Sequence, residues 1–472
     1  MIDIESLPVA VIGAGPIGLA AAAHLVERGM KVKVYEAGAS VGANVRDWAH
    51  VRIFTTWEQS VDTASVRLLE KHGWKLPQAN KLPTGGEIYD QYLKPLAAVP
   101  ELAGAIETDA KVLSITRLGL DKVTSKGRDK RPFEIRVAGP KGEVRVEYAQ
   151  GVVDASGTWQ NQNPAGASGT PAPGEDRHAD RIAYGMPDVL GAVRKDYAGK
   201  RIAVIGAGYS AINVILDLTK LAETAPNTKV TWVVRGTNMN KTYGGGANDQ
   251  LEARGALGTA LKRLVDQGKV QLVTGFSTSA IRSQGSDLQL VGTQNGKEIA
   301  LPTADRIIVC TGQRPNLEMT RELRLELDPW LEGVKALGPL IDPNEHSCGS
   351  VPPHGHRELS HPEPGFYTIG VKSYGRAPTF LLLTGYEQAR SVAAVLAGDL
   401  QAADNVQLVL PETGICTTDF EADANGCCVT PAQVATSSCC GGPALAEVDA
   451  CCVADVAAKE AGKKGCGCGE AA

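Results

Sequence analysis

Residues 8–18 read Pro-Val-Ala-Val-Ile-Gly-Ala-Gly-Pro-Ile-Gly, and residues 32–36 read Val-Lys-Val-Tyr-Glu. The apolar run Val9 to Ile12 predicts a short buried strand. Gly13, Gly15 and Gly18 follow at the G-x-G-x-x-G spacing: the first makes a tight turn, the second admits a pyrophosphate, and the third lets a helix pack closely. Pro16 stands among them. Leu19 to Arg28 is helix-forming, and Gly29 ends it. The strand Val32 to Tyr35 then delivers Glu36, placed to accept hydrogen bonds from a ribose diol. A lone glycine pattern is weak evidence, but here strand, glycines, helix, strand and acid fall together as a βαβ unit requires. An acid at that place suits FAD or NAD and repels a 2′-phosphate.

The pattern recurs at 200–211, Lys-Arg-Ile-Ala-Val-Ile-Gly-Ala-Gly-Tyr-Ser-Ala, with a helix predicted from about Ile212 to Leu221 and a strand Lys-Val-Thr-Trp-Val-Val-Arg. Gly206, Gly208 and Ala211 hold the fingerprint positions, with Tyr209 and Ser210 between them; alanine is permitted at the third. Where the first unit ends in Glu36, this one ends in Arg235, whose guanidinium would pair with a 2′-phosphate. Lys241 reads as a solvated lysine before it reads as a second phosphate contact. Two units with opposite terminal charges imply two dinucleotides, FAD in the first and NADPH in the second.

The rest of the chain is consistent with such a protein. Its 472 residues exceed what one core usually serves. Hydrophobic content of 43% and charged content of 21% are those of a soluble globular protein, and a net charge of -5 gives no reason to expect nucleic acid. No apolar run reaches transmembrane length, and Met1 to Pro8 lacks the basic region of a signal peptide, so a cytoplasmic protein is expected.

Two further stretches carry a resemblance. Gly-Val-Val-Asp-Ala-Ser-Gly-Thr-Trp at 151–159 and Asp-Arg-Ile-Ile-Val-Cys-Thr-Gly at 305–312 look like the Ala-Thr-Gly strands at the domain crossings of two-dinucleotide-binding flavoproteins. That group includes thioredoxin reductases, flavin-containing monooxygenases and Baeyer-Villiger monooxygenases. The resemblance covers roughly residues 5 to 400. It implies that Ser156, Gly157, Thr311 and Gly312 lie at cofactor turns and that the backbone at Val112 meets the flavin adenine. It also implies that Gly370 and a closing helix opening near Thr384 face the flavin, where a helix N-terminus would stabilise negative charge. Arg46 and Thr56 fall in the loop that meets the isoalloxazine in that group, while Trp48 and Trp57 read more readily as core. Val371 stands where reductases usually carry an aspartate.

The cysteines narrow the chemistry. Disulfide reductases pass electrons through a thiolate, yet residues 1–309 contain no cysteine. Cys310 reads as a small buried hydrophobe, and Cys348 has no neighbour in sequence. That leaves oxygen or a non-thiol acceptor, and the resemblance then points to a monooxygenase. The linker keeps Gly174 and His178 of the monooxygenase fingerprint but has Ala172 and Ile182 where aromatics belong, so His178 reads equally as an interdomain contact or a surface residue. His346, His354, His356 and His361 have irregular spacing that favours a solvated loop over a metal site.

From about Gln401 the composition turns to alanine, glycine and cysteine. The pairs Cys427-Cys428, Cys439-Cys440 and Cys451-Cys452 recur every 12 residues, followed by Cys466 and Cys468. Adjacent cysteines rarely bond to each other and lack zinc spacing, but their thiolates suit soft ions. The tail resembles those of arsenic-resistance proteins, which implies trivalent arsenic as its ligand; the bland alternative is a weakly ordered extension.

The expected architecture is therefore α/β, with an FAD-binding domain in two parts (1–165 and 305–400), an inserted NADPH-binding domain (166–304) and a cysteine-rich tail (401–472). The expected activity is a flavin monooxygenase acting on a small-molecule substrate with a soft or metalloid-related atom, in an arsenic detoxification setting. Two alternatives stay open: an NADPH-dependent flavin reductase served by the tail's cysteine pairs, and a thiol-based metalloid carrier or sensor. A homodimer is also left open.

Overall fold

The computed structural model describes residues 3–344, 351–378 and 380–411. Its first sheet begins with β1 (Val9–Ile12), whose four residues are all buried, as a parallel strand covered on both faces requires. The helix α1 (Pro16–Glu27) follows, with Pro16 at its first turn, where the missing N–H costs nothing. Next come β2 (Val32–Tyr35) and β3 (Ile106–Glu107). A three-stranded antiparallel sheet of β4 (Lys111–Arg117), β5 (Phe133–Ala138) and β6 (Val144–Ala149) precedes β7 (Gly151–Asp154). Along β5 every second residue is buried, the alternation of a sheet with one face on the core.

A second parallel sheet is built from β8 (Ile182–Tyr184), β9 (Arg201–Ile205), β10 (Lys229–Val233) and β11 (Val270–Val273), and later β15 (Arg306–Val309). Between them run the antiparallel β12 (Phe276–Gln284), β13 (Asp287–Gln294) and β14 (Lys297–Ala300). The chain then supplies β16 (Phe366–Thr368) to the first sheet, completing the order β16-β7-β1-β2-β3; the second sheet has the order β11-β10-β9-β15-β8.

Two boundaries differ from the sequence reading. β15 pairs with β9 and β8, so the inserted sheet extends past residue 304. Its unbroken apolar run, Ile307 to Val309, is buried inside that sheet. Residues 401–411 also stay with the body: Asp404 bonds His356 and Arg357, and Arg390 binds the Asn405 carbonyl. The tail cysteines Cys427, Cys428, Cys439, Cys440, Cys451, Cys452, Cys466 and Cys468 lie outside the described residues.

The two connections between the sheets run side by side. Asn163 donates its N–H to the Gly312 carbonyl at 2.9 Å, and Arg314 to the Asn161 carbonyl at 3.0 Å, with Gln162 opposite Gln313. The Thr311 hydroxyl closes the ladder on the Asn163 carbonyl. Thr311 and Gly312 are thereby fixed at the crossing.

Candidate functional site

The glycines of the first motif divide by what surrounds them. Gly13 has φ +96°, and a Cβ there would meet the Ala155 carbonyl oxygen at 2.8 Å; one on Gly18 would lie 1.9 Å from the Gly13 oxygen. Both glycines are required by the protein's own packing. Gly15 has nothing within 4 Å of such a Cβ, and no side chain caps α1. Open space before uncapped N–H groups is what a pyrophosphate needs. FAD fits this cradle.

Glu36 follows the end of β2, accepting from the N–H groups of Ala14 and Gly38, each at 2.8 Å on a different carboxylate oxygen. Each oxygen keeps acceptor capacity for a ribose hydroxyl. Burial raises the Glu36 pKa against the lowering effect of those two N–H groups. The Ala110 N–H donates to the Glu36 carbonyl, which brings the buried Val112 at the start of β4 to the same end of the sheet.

Ser156 and Gly157 turn the chain after β7, against the Gly13 loop: a Cβ on Gly13 would meet the Ser156 Cα at 3.0 Å. Gly370, with φ +71°, turns it after β16 and donates its N–H to the Gln388 side-chain oxygen at 2.7 Å. Gln388 and Thr384 are buried in a long closing helix, Leu382–Leu396, which packs along α1. Gly385 permits that approach, since a Cβ there would meet Ile17 at 2.5 Å. The other two expected residues have protein partners: Arg46 binds the Ser40 hydroxyl and lies over the Tyr89 ring, and Thr56 bonds Gln59. Trp57 is core, as expected of it.

The second motif repeats this arrangement. Gly206, φ +133°, abuts the Cys310 carbonyl oxygen, 2.2 Å from an added Cβ, whereas Gly208 faces open space. Ala211 is buried in the first turn of the helix Tyr209–Thr224, which no side chain caps; Ser210 lies in the same turn. Arg235 stands exposed two residues beyond β10, with one guanidinium N–H on the Ala167 carbonyl at 3.2 Å. NADP(H) fits here as FAD fits the first site.

Other expectations are corrected. His178 is neither an interdomain contact nor a surface residue: it is buried within the inserted domain, bonded to Ser283 and Arg181. His354 and His356 are buried and bonded to Pro352, Gln388 and Asp404, not solvated; His346 lies outside the described residues. Among the described residues no group of three or more His, Cys, Asp or Glu is placed to hold a metal. Cys310 is buried, with its thiol on the Gly185 carbonyl, and burial pushes its pKa up to about 12.

Some residues were missed. Asp154 and Lys372 form a buried ion pair beside Ser156. Asp47 and Asn44, on the short helix Ala43–Asp47, hold Trp159 and Gln160 after the crossing. Phe54 meets Tyr209 across the domains. The one signal in the sequence was an aspartate ending the apolar strand Gly-Val-Val-Asp, where a buried charge needs a partner.

Two parallel sheets, each with a glycine-turned βαβ nucleotide cradle, define a flavin-dependent oxidoreductase with FAD and NADP(H) as its cofactors. The chain belongs to the pyridine nucleotide-disulphide oxidoreductase family, which it matches over residues 10–332. It is 26% identical over 203 residues to the ferredoxin–NADP reductase of Rickettsia bellii, covering 42% of this chain and 49% of that one. The chain spans about half the length of the curated relatives it matches. Its fold is similar to the bacillithiol disulfide reductase of Bacillus cereus, with TM-score 0.62 and 17% identity over 83% of this chain and 99% of that one. It is also similar to the ornithine N-hydroxylase of Kutzneria sp. 744, with TM-score 0.57 and 16% identity over 84% and 99%. No helix among the described residues is long and apolar enough to cross a membrane.

Proposed function

We propose that the chain is an NADPH-dependent FAD monooxygenase acting on a soft, electron-rich atom of a small molecule. One equivalent each of NADPH, a proton and oxygen would be consumed, one oxygen atom entering the substrate and the other leaving as water. FAD, when bound, supplies hydride acceptance and oxygen activation. The protein's share is placement: Gly15 and Glu36 would hold the FAD pyrophosphate and ribose, Gly208 the NADPH pyrophosphate and Arg235 its 2′-phosphate.

The observation that carries this reading is the state of Cys310. A disulfide reductase needs a thiolate facing the flavin. Residues 1–309 contain no cysteine, and Cys310 is a buried thiol directly after β15 of the second sheet, its pKa pushed up by that burial. The ornithine N-hydroxylase neighbour supports the reading, since it is a hydroxylating enzyme of similar fold. The second reading, a reductase fed by the tail's cysteine pairs, draws on the bacillithiol disulfide reductase neighbour and the 12-residue cysteine spacing. A metalloid substrate or cargo rests on that spacing and on the tail's resemblance to those of arsenic-resistance proteins.

The test is turnover under labelled oxygen by the full chain and by a variant with the tail cysteine pairs changed to serine. A monooxygenase places the label in product, stops without oxygen and survives the serine changes. Turnover without oxygen that the serine changes abolish would establish the reductase.

A further inference from the structure

We propose that Lys372 is a positioning residue for the flavin end of FAD: paired with buried Asp154, it fixes the turn at Ser156 and balances the charge there. This rests on FAD lying along the first motif.

Sheet order gives the location. Glu36, at the end of β2, takes the adenosine side, and the loop after β1 takes the pyrophosphate. β7 and β16 follow on the side away from β2, and ligands of such sheets lie outside the carboxyl ends of the strands. The rest of the dinucleotide must therefore pass the ends of β7 and β16. Asp154 is the last residue of β7, in register with Ile12 of β1 and Thr368 of β16.

The local geometry is closed on itself. The Lys372 ammonium lies 2.7 Å from Asp154 Oδ2 as an ion pair. It donates to the Ser156 hydroxyl oxygen at 3.0 Å. That hydroxyl donates to Asp154 Oδ1 at 2.7 Å, and the Ser156 N–H donates to the same oxygen at 3.1 Å. The lysine and aspartate side chains are 2% and 0% exposed. Lys372 is carried by the turn Gly370–Tyr374, which Gln388 holds from the closing helix: its oxygen accepts from Gly370 N–H, and its amide donates to His354 and Ser373.

A buried ion pair is a poor way to gain stability, because desolvation consumes most of the attraction and a hydrophobic pair often serves as well. Its charge is therefore the feature to explain. Charge placed beside a flavin tunes its electronics, and in a dry site each charge acts with little screening. The intact pair is neutral. Losing one member exposes the flavin to the other, so the two single losses act in opposite directions.

The experiment measures the flavin reduction potential and FAD affinity of purified holoprotein for Lys372→Met, Asp154→Asn, the double variant and Lys372→Arg. Lys372→Met leaves the carboxylate, disfavours the anionic reduced flavin and shifts the potential negative. Asp154→Asn leaves the ammonium and shifts it positive. Each shift is expected to be at least tenfold in the reduction equilibrium, about 30 mV for a two-electron couple. The double variant and Lys372→Arg should lie near the parent. If Lys372→Met does not fold, Asp154→Asn against the double variant decides the sign. Unchanged potentials, or single variants that shift in the same direction, would overturn the proposal. Failure of the underlying reading looks different: FAD would be absent from the parent, or would be retained by Gly15→Ala.

Discussion

The ring of Tyr209 lies 5.1 Å, centroid to centroid, from the ring of Phe54, inclined at 52°. Tyr209 opens the helix behind Gly208, and Phe54 comes from the loop after Ala43–Asp47, so the two nucleotide units touch where the second presents its helix N-terminus. Such a pair contributes about 0.5–1.5 kcal/mol beyond burial. Phe54→Ala should slow flavin reduction by NADPH roughly two- to tenfold without changing FAD content. Stopped-flow reduction of the purified variant, with its flavin-to-protein ratio, checks both parts.

The first-motif glycines separate cofactor binding from folding. Gly15→Ala adds a methyl into open space, so the apoprotein should keep its melting temperature while losing FAD. Gly18→Ala drives a methyl into the Gly13 carbonyl and should lower the melting temperature of the apoprotein itself. Thermal unfolding of flavin-stripped protein, beside FAD titration, distinguishes them; equal melting losses would contradict the assignment.

Glu363 ties the antiparallel sheet to the late part of the first domain. It accepts from Arg117 and Arg128, each at 2.7 Å, and from the Arg324 N–H at 3.0 Å. Burial works to raise its pKa, but the two guanidinium groups and the N–H outweigh that and hold it below the ordinary value. A carboxylate lowered on folding stabilises above its unfolded value of about 4.3 and loses that contribution as pH falls through its folded value. Glu363→Gln should cost about 3–5 kcal/mol at neutral pH, since it strands buried arginines. The parent's stability should not begin to lose this contribution until below about pH 4.3. Urea unfolding from pH 7 to 3 measures both.

Cys310 should be inert. Burial pushes its pKa up to about 12 and its thiol donates to the Gly185 carbonyl, so almost no thiolate is expected at neutral pH. Alkylation followed by peptide mapping should leave Cys310 unlabelled in the native protein and labelled after denaturation. Rapid native labelling would contradict the burial and remove the support it gives to oxygen chemistry.

The βαβ units were legible because each is a local pattern: Val9 to Glu36 contains its own strand, turn, helix and acid, and Arg201 to Arg235 repeats it. Sheet membership was less so. Nothing in Arg306–Val309 says which sheet receives it, since an apolar strand buried on both faces looks alike in either. His178, His354 and His356 misled because their partners, Ser283, Gln388 and Asp404, are remote in sequence, leaving only their polar loop surroundings to read. Lys372 has the same history; its partner lies 218 positions earlier, and only the fold brings β7 beside β16.

The most direct test of the two-cofactor assignment compares kcat/KM for NADPH and NADH in the parent and in Arg235→Ala. A charge-assisted phosphate contact contributes about 1.5–3 kcal/mol, so the parent should prefer NADPH at least about tenfold, and the variant should lose that preference while keeping its NADH rate. A parent that takes both nucleotides equally, or a variant whose preference is intact, would contradict it.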